Sequence, residues 1–274
     1  MNVDLTIHTG LARKILTGFI RSELTRAGFS HALVGLSGGL DSAISCALAV
    51  EALGPENVLA LRLPYKSSAP DSLEDARITA EQLGVRFETI EITSMVEDLI
   101  QREPKITDVR KGNLLARARM IVLYDQSEAF RGLVVGTSNK TEILLGYTTL
   151  WGDMASALNP LGDLYKTQLR QLGRALQLPR SVLEKAPSAD LWIGQTDEAE
   201  LGMKYEEVDQ LLSLLVDRRY TPQDCVQAGF DVGFVEKVLQ RMRRNQFKRI
   251  MPPIAKLSNR TVGYDFLYLR DWGT

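Results

Sequence analysis

Eight consecutive residues, Gly35-Leu36-Ser37-Gly38-Gly39-Leu40-Asp41-Ser42, constrain the fold of this chain more than any other stretch. The short apolar run His31-Ala32-Leu33-Val34 precedes them, and Ala43 to Val50 follows as a continuous helix-compatible run. Strand, glycine turn and helix in that order gather several backbone N–H groups and the positive end of a helix dipole at one point. The adjacent Gly38 and Gly39 let an anion touch the backbone, and Ser37 and Ser42 add hydroxyl donors. Asp41 carries the most information. A carboxylate repels a bound phosphate unless a divalent cation lies between them, so the turn reads as a cradle for magnesium and a polyphosphate.

Neither of the two common nucleotide loops is present. No lysine follows the glycines, as Gly-x-x-x-x-Gly-Lys-Ser/Thr requires, and the Gly-x-Gly-x-x-Gly spacing is missing. Ser-Gly-Gly alone would be an ordinary capped turn; Ser-Gly-Gly-x-Asp-Ser between a strand and a helix favours phosphate. The octet resembles the PP-motif of the N-type ATP pyrophosphatases, which cleave ATP between its α- and β-phosphates and adenylate a substrate oxygen.

Further βα units flank the turn. Leu11, Ile15, Phe19, Ile20 and Leu24 recur at helical spacing before it. Asn57 to Pro64 reads as a strand, Asp71 or Ser72 as the cap of a helix to Gln82 or Leu83, and Val85 to Ile92 as an alternating strand. Gly112 opens a long helix to about Phe130, in which Arg117 and Arg119 point to different faces. The strand from Gly132 runs into Thr137 and Glu142. Glu142 and Asp41, from separate strand ends, would suit one hard cation; the plainer reading of Glu142 is an acid in the first turn of a helix. Such repeats imply a parallel sheet covered on both faces, with ligands beyond the carboxyl ends of its strands.

The second half of the chain reads as loops and helices. Lys166 begins a helix, where the dipole disfavours a lysine and a phosphate partner would explain one. Ala186 to Gly202 is long for a connection, which favours a lid or binding loop. Helices follow from about Tyr205 to Val216, after Thr221-Pro222, and from Val232 to Gln246. The basic end, Arg241 to Arg249, reads first as solvated and second as phosphate-binding.

Composition excludes several classes. A formal net charge of −1 gives no pull toward nucleic acid or an anionic membrane. The hydrophobic fraction of 45% over 274 residues suits one large α/β domain, or one with an added lobe. Cys46 and Cys225 form neither a disulfide framework nor a zinc motif, and His8 and His31 are too few for a histidine metal site. No apolar run is long enough to span a membrane, and Met1-Asn2-Val3-Asp4-Leu5 carries no export signal. A cytoplasmic protein is the expectation.

Taken in order, Ser-Gly-Gly-x-Asp-Ser, Gly-Asn-x-x-Ala-Arg-x-Arg-Met, Gly-Thr, Trp-Gly-Asp, Tyr-Lys-Thr-Gln, Pro-Ser-Ala-Asp-Leu-Trp, Gln-Thr-Asp-Glu-x-Glu-Leu-Gly and Lys-Arg are similar to the motifs of the NAD synthetase family, over about residues 10 to 250. The resemblance implies an α/β fold with a doubly wound, mainly parallel five-stranded sheet. That sheet is Rossmann-like, of the adenine nucleotide alpha hydrolase-like kind. It also implies one domain over residues 1–274, with a helical C-terminal segment at about 205–250. The implied reaction is amidation of nicotinic acid adenine dinucleotide (deamido-NAD) with ammonia: ATP adenylates the nicotinate carboxylate, pyrophosphate leaves, and ammonia displaces AMP to give NAD. By the same resemblance Gly35 through Ser42 hold the ATP phosphates, Thr137, Lys166 and Ser188 contact ATP, and Asp41 and Glu142 bind Mg2+. Arg117 and Lys248 contact deamido-NAD, and Asp153 lies near ammonia, where it helps deliver the neutral nucleophile. Lys166 and Asp153 are the implied catalytic residues.

The family works as a homodimer, so the same is expected here. The chain is too short to hold a fused glutaminase, so free ammonia or a separate glutaminase chain is the expected nitrogen source. Three positions depart from the pattern. Phe247 replaces a histidine before Lys-Arg, Leu150 a lysine before the aromatic-Gly-Asp triplet, and Ala157 a nearby acid; all lie on the nicotinate side. Two rivals stand beside this reading: a PP-motif enzyme that activates a tRNA base, and a non-catalytic nucleotide-binding module.

Overall fold

The computed structural model describes residues 3–192 and 194–267. Met1 and Asn2 of the export-signal reading, Ile193 of the long loop, and residues 268–274 of the single-domain reading lie outside the described residues.

Strands and helices alternate through the first half. α1 (Thr9–Arg26), β1 (His31–Gly35), α2 (Leu40–Leu53), β2 (Val58–Arg62), α3 (Pro70–Leu83) and β3 (Arg86–Thr89) come first. α4 (Thr93–Gln101), the long α5 (Asp108–Phe130) and β4 (Gly132–Val135) follow. The strands lie in the order β3-β2-β1-β4 and every pair is parallel. Chain order runs outward in one direction from β1 to β3 and resumes on the other side at β4. The turn after β1 therefore lies at the topological switch point, where open α/β sheets leave a crevice.

Alternation along the strands puts two cores on opposite faces. Ala32 and Val34 of β1 join Val58 and Ala60 of β2 under α1 and α2. Leu33, Leu59 and Leu61 join Leu115 and Val122 of α5 on the other side. Both faces are covered, as parallel sheets require. α2 is buried along most of its length, with Ile44, Cys46 and Leu48 fully enclosed. Each such aliphatic side chain contributes roughly 1.5–3 kcal/mol by leaving water, so the helix that carries the phosphate turn is among the best anchored in the molecule.

Expected and observed elements differ in several places, among them a short helix, Asp197–Leu201, inside the stretch expected to be a loop. Only four strands form among the described residues; the fifth is reduced to one parallel bridge between Val135 and Leu158. Pro160, two residues beyond, lacks the N–H that would extend that ladder. α3 starts at Pro70 without a side-chain cap; the proline's fixed φ suits the first helical position and leaves one fewer N–H unpaired there. α5 starts at Asp108, before Gly112, where the Thr107 hydroxyl accepts from the Arg110 N–H at 3.3 Å.

The remaining helices are α6 (Lys140–Leu145), α7 (Lys166–Ala175), α8 (Arg180–Glu184), α9 (Asp197–Leu201), α10 (Tyr205–Leu212), α11 (Pro222–Gln227) and α12 (Val232–Arg244). They build a third core around Tyr165, Tyr205, Leu211, Leu214 and Val238. No helix among the described residues is long and apolar enough to cross a membrane.

Candidate active site

The turn after β1 is closed by its own serines. Ser42 Oγ accepts from the Ser37 N–H at 3.2 Å, lies 3.1 Å from Ser37 Oγ and donates to the Gly39 carbonyl at 3.0 Å. Gly38 has φ +83°, and a Cβ there would stand 2.1 Å from the Ser72 carbonyl oxygen at the start of α3. Glycine is required both for the left-handed backbone and for the close approach. α2 then begins at Leu40 and presents Asp41 in its first turn.

The β4 end faces it. Asn139 caps α6: its Oδ1 accepts from the Glu142 N–H at 2.9 Å, and its own N–H donates to Glu142 Oε2 at 3.3 Å. Its remaining donor, Nδ2, reaches Asp41 Oδ2 at 2.7 Å. Lys166, the first residue of α7, completes the group. Its Nζ lies 2.9 Å from Asp41 Oδ1 and 3.4 Å from Glu142 Oε1. One buried cation thus stands between two half-buried carboxyl groups. Burial pushes the Glu142 carboxyl up to about 8, opposed by Lys166 and reinforced by Asp41. Burial also disfavours the Lys166 charge, but Asp41, Glu142 and Asp197 outweigh it and raise its pKa.

This arrangement fits a hard divalent cation. The space between the carboxylates already accepts positive charge, and both donors are the oxygens magnesium takes. Among the described residues no cluster of three or more His, Cys, Asp or Glu could hold a metal. A magnesium ion bound by two carboxylates keeps positions for phosphate oxygens and water.

A cavity of about 1060 Å³ opens from this group between the sheet edge and the helical lobe. That volume exceeds an ordinary single-ligand pocket. Thr137, Ser188, Asp153 and Lys248 all line it. Ser188 Oγ donates to the Gln195 carbonyl at 2.8 Å and accepts from the Asp190 N–H at 3.1 Å, so it also braces the long loop. Asp153 accepts from the Thr149 N–H at 2.6 Å. Enclosure by the cavity walls raises its pKa, although the side chain faces the open space. Lys248 Nζ donates to the Gly146 and Thr148 carbonyls at 2.8 and 2.6 Å. Arg117 is not part of the lining; it is exposed on α5 and donates to the Leu150 carbonyl at 3.2 Å.

The family model for NAD synthase matches residues 13–252. The chain belongs to the NAD synthase family. The NH(3)-dependent NAD(+) synthetase of Trichlorobacter lovleyi is 53% identical over 269 residues, 98% of each chain. That of Chlorobaculum tepidum is 52% identical over 269 residues. Among solved structures, the NMN synthetase from Francisella tularensis superposes with a TM-score of 0.81 at 32% identity, covering 92% of this chain and 100% of that one. The NH3-dependent NAD synthetase from Campylobacter jejuni, in complex with the nitrate ion, gives 0.78 at 33% identity, covering 91% and 100%.

The fold places further polar groups in the cavity that sequence reading passed over. Arg119 lines it and donates to the Leu63 carbonyl at 3.0 Å. Lys185 binds Asp75 at 2.8 Å and Ser72 at 3.0 Å, bracing the wall that touches Gly38. Asp197 accepts from the hydroxyls of Tyr147 at 3.1 Å and Tyr205 at 3.2 Å, so the long loop is latched to the helical lobe. Asn139 was hidden as an apparent cap. Its second bond, across 98 residues of chain, has no local signature. At the far end of α6, Gly146 turns left-handed against Asn245, where a Cβ would stand 2.2 Å from the Asn245 Cβ. Asn245 Nδ2 there donates to the Leu145 carbonyl at 2.9 Å.

Proposed function

We propose that this protein makes NAD by ATP-dependent amidation of deamido-NAD with ammonia, through an acyl-adenylate. The observation that carries the reading is the Asp41–Lys166–Glu142 group beside the glycine turn that opens α2. In this reading the turn from Gly35 to Ser42 receives the ATP phosphates, with Thr137 and Ser188 on the cavity wall. Asp41 and Glu142 would hold Mg2+, which supplies charge neutralisation to the phosphates when bound. Lys166 then turns its ammonium from the carboxylates to the phosphate whose negative charge grows as pyrophosphate departs.

A nicotinate oxygen attacks the α-phosphorus of ATP, the bond to the β-phosphate breaks, and pyrophosphate leaves. Ammonia attacks the acyl carbon, AMP leaves with the bonding pair, and one proton is released. Asp153 stands where an ammonium ion could be held and deprotonated. Arg117, exposed on α5 one and two turns before the exposed apolar Ile121 and Tyr124, suits a dinucleotide bound where two subunits meet, which is why a homodimer is part of this reading. Both described cysteines are free and buried, in keeping with work in the cytoplasm on ammonia from solution or a separate glutaminase.

The likeness to an NMN synthetase supports a second reading, in which the acid amidated is the mononucleotide. The deciding assay supplies ATP, magnesium and ammonia with deamido-NAD or nicotinic acid mononucleotide in turn. NAD, AMP and pyrophosphate from the dinucleotide are the expected products. ADP and phosphate as products, or nucleotide binding without turnover of either acid, would end the proposal.

A further inference from the structure

Four cations recur along one face at the end of the helical lobe. Lys237, Arg241 and Arg244 of α12 and Lys248 just beyond it all line the cavity, while Arg243 does not. None of the four forms an ion pair among the described residues. Elsewhere on the surface cations find acids within reach: Arg110 pairs with Glu103 at 3.1 Å and Arg180 with Glu184 at 2.6 Å. Lys237 and Lys248 donate only to carbonyl oxygens, those of Gly202 and of Gly146 and Thr148.

Arg241 is the sharpest case. Its Nε is buried and has no hydrogen-bond partner. Its guanidinium lies over the Tyr147 ring, 5.8 Å from the centroid. Glu200 is an acid near enough to favour its charge, but Glu200 accepts from the Tyr147 hydroxyl at 2.8 Å and Gln195 Nε2 at 2.9 Å. Burial lowers the pKa of both Arg241 and Lys248, so each cation stands in this wall at a cost. A buried, unpartnered donor on a half-buried cation is unfavourable until an anion arrives.

We propose that this face is a phosphate-binding subsite, with Arg241 as its central contact. The inference rests on the amidation reading, which brings two phosphate-bearing molecules into one cavity. Lys237 to Arg244 spans roughly 10 Å by helical rise, a length suited to linked phosphates. The reacting carboxylate is a poor occupant, because a guanidinium fork would tie up the lone pairs it needs for attack on phosphorus. The phosphates belong either to the pyrophosphate bridge of the dinucleotide or to the tail of ATP.

Arg241→Met keeps the apolar stem over Tyr147 and removes the charge; Arg241→Lys restores the charge without the fork. Arg243→Met is the control. Titration calorimetry measures deamido-NAD and ATP binding separately, so the subsite is tested independently of turnover, and melting curves report folding. Weakening of deamido-NAD binding by roughly tenfold or more in Arg241→Met, the loss expected for a hydrogen bond to a charged group, with partial recovery in Arg241→Lys, supports the subsite and assigns the dinucleotide bridge. The same loss confined to ATP, with weaker product inhibition by inorganic pyrophosphate, supports it and assigns the ATP tail. Unchanged binding of both ligands, or a lowered melting temperature with no change in affinity, overturns it. A wild-type protein that binds both ligands but releases no NAD counts against the amidation reading alone.

Discussion

Lys166 neutralises Asp41 across 125 residues of chain, with Nζ and Oδ1 2.9 Å apart. The same ammonium leans toward Glu142 at 3.4 Å, so a lysine holds the place expected of a metal ion. Lys166→Met should lower NAD formation by about 10²–10³-fold, the scale of removing one preorganised charge donor. It should also let Mn2+ bind more tightly without nucleotide, since the ammonium that competes for the Asp41 and Glu142 oxygens is gone. Paramagnetic resonance titration of free Mn2+ measures this, and equal affinity in both proteins would contradict it.

Glu142 gives a pH signature. Its carboxyl is held up to about 8 against an ordinary 4.5, so folding favours its protonated form. The stability it contributes is complete below the ordinary value and is lost as pH rises toward about 8. In metal-free buffer the melting temperature of the wild type should fall across that window. Glu142→Gln should remove that part of the slope and melt higher at pH 8. Parallel curves for the two proteins would rule the assignment out.

Asn139 does two jobs that substitution can separate. Asn139→Ala loses the helix cap, which costs about 1 kcal/mol, together with the bond to Asp41. Asn139→Ser keeps a neutral cap acceptor but lacks the Nδ2 donor. Thermal melts should show the serine variant more stable than the alanine variant, while both need a higher magnesium concentration for half-maximal turnover. Recovery of the magnesium response in Asn139→Ser would show that only the cap matters.

Gly38→Ala should fail twice. A Cβ would collide with the Ser72 carbonyl, and φ +83° is already unfavourable for alanine. A loss of more than about 1 kcal/mol is expected, with nucleotide binding lost from whatever remains folded. Chemical denaturation and ATP titration read the two effects.

Asp153→Asn tests delivery of the nitrogen nucleophile. Removing a group that takes up a proton in the reaction should cut ammonia-dependent turnover by about 10²-fold. Adenylate formation, followed as isotope exchange between pyrophosphate and ATP, should persist. Unchanged turnover would remove Asp153 from the mechanism.

Much of this was readable along the chain because its signals are local. Ser37 through Ser42 and the strand and helix around them are contiguous, and Glu142 follows its strand as a capped first turn. What escaped depended on long-range placement. Arg117 and Arg119 are two residues apart, and only the packing of α5 decides that Arg119 lines the cavity. Leu158 occupies the position of a fifth strand, yet Pro160 halts it after one bridge. Lys185 matters because it meets Asp75 across 110 residues. The spacing of Lys237, Arg241 and Arg244 is visible in sequence as one helical face, but nothing nearby says what that face looks at.

The join at Gly146 and Asn245 turns the cleft into a gauge. It clamps the tail of the helix that carries Glu142 in its first turn onto the end of the helix that bears Arg241. The two charge systems cannot slide independently, so the gap between them has a set length. If both charge systems hold phosphate as proposed, a nucleotide too short to bridge that gap would satisfy one end only, and substrates would be sorted by reach before any reacting group is tested.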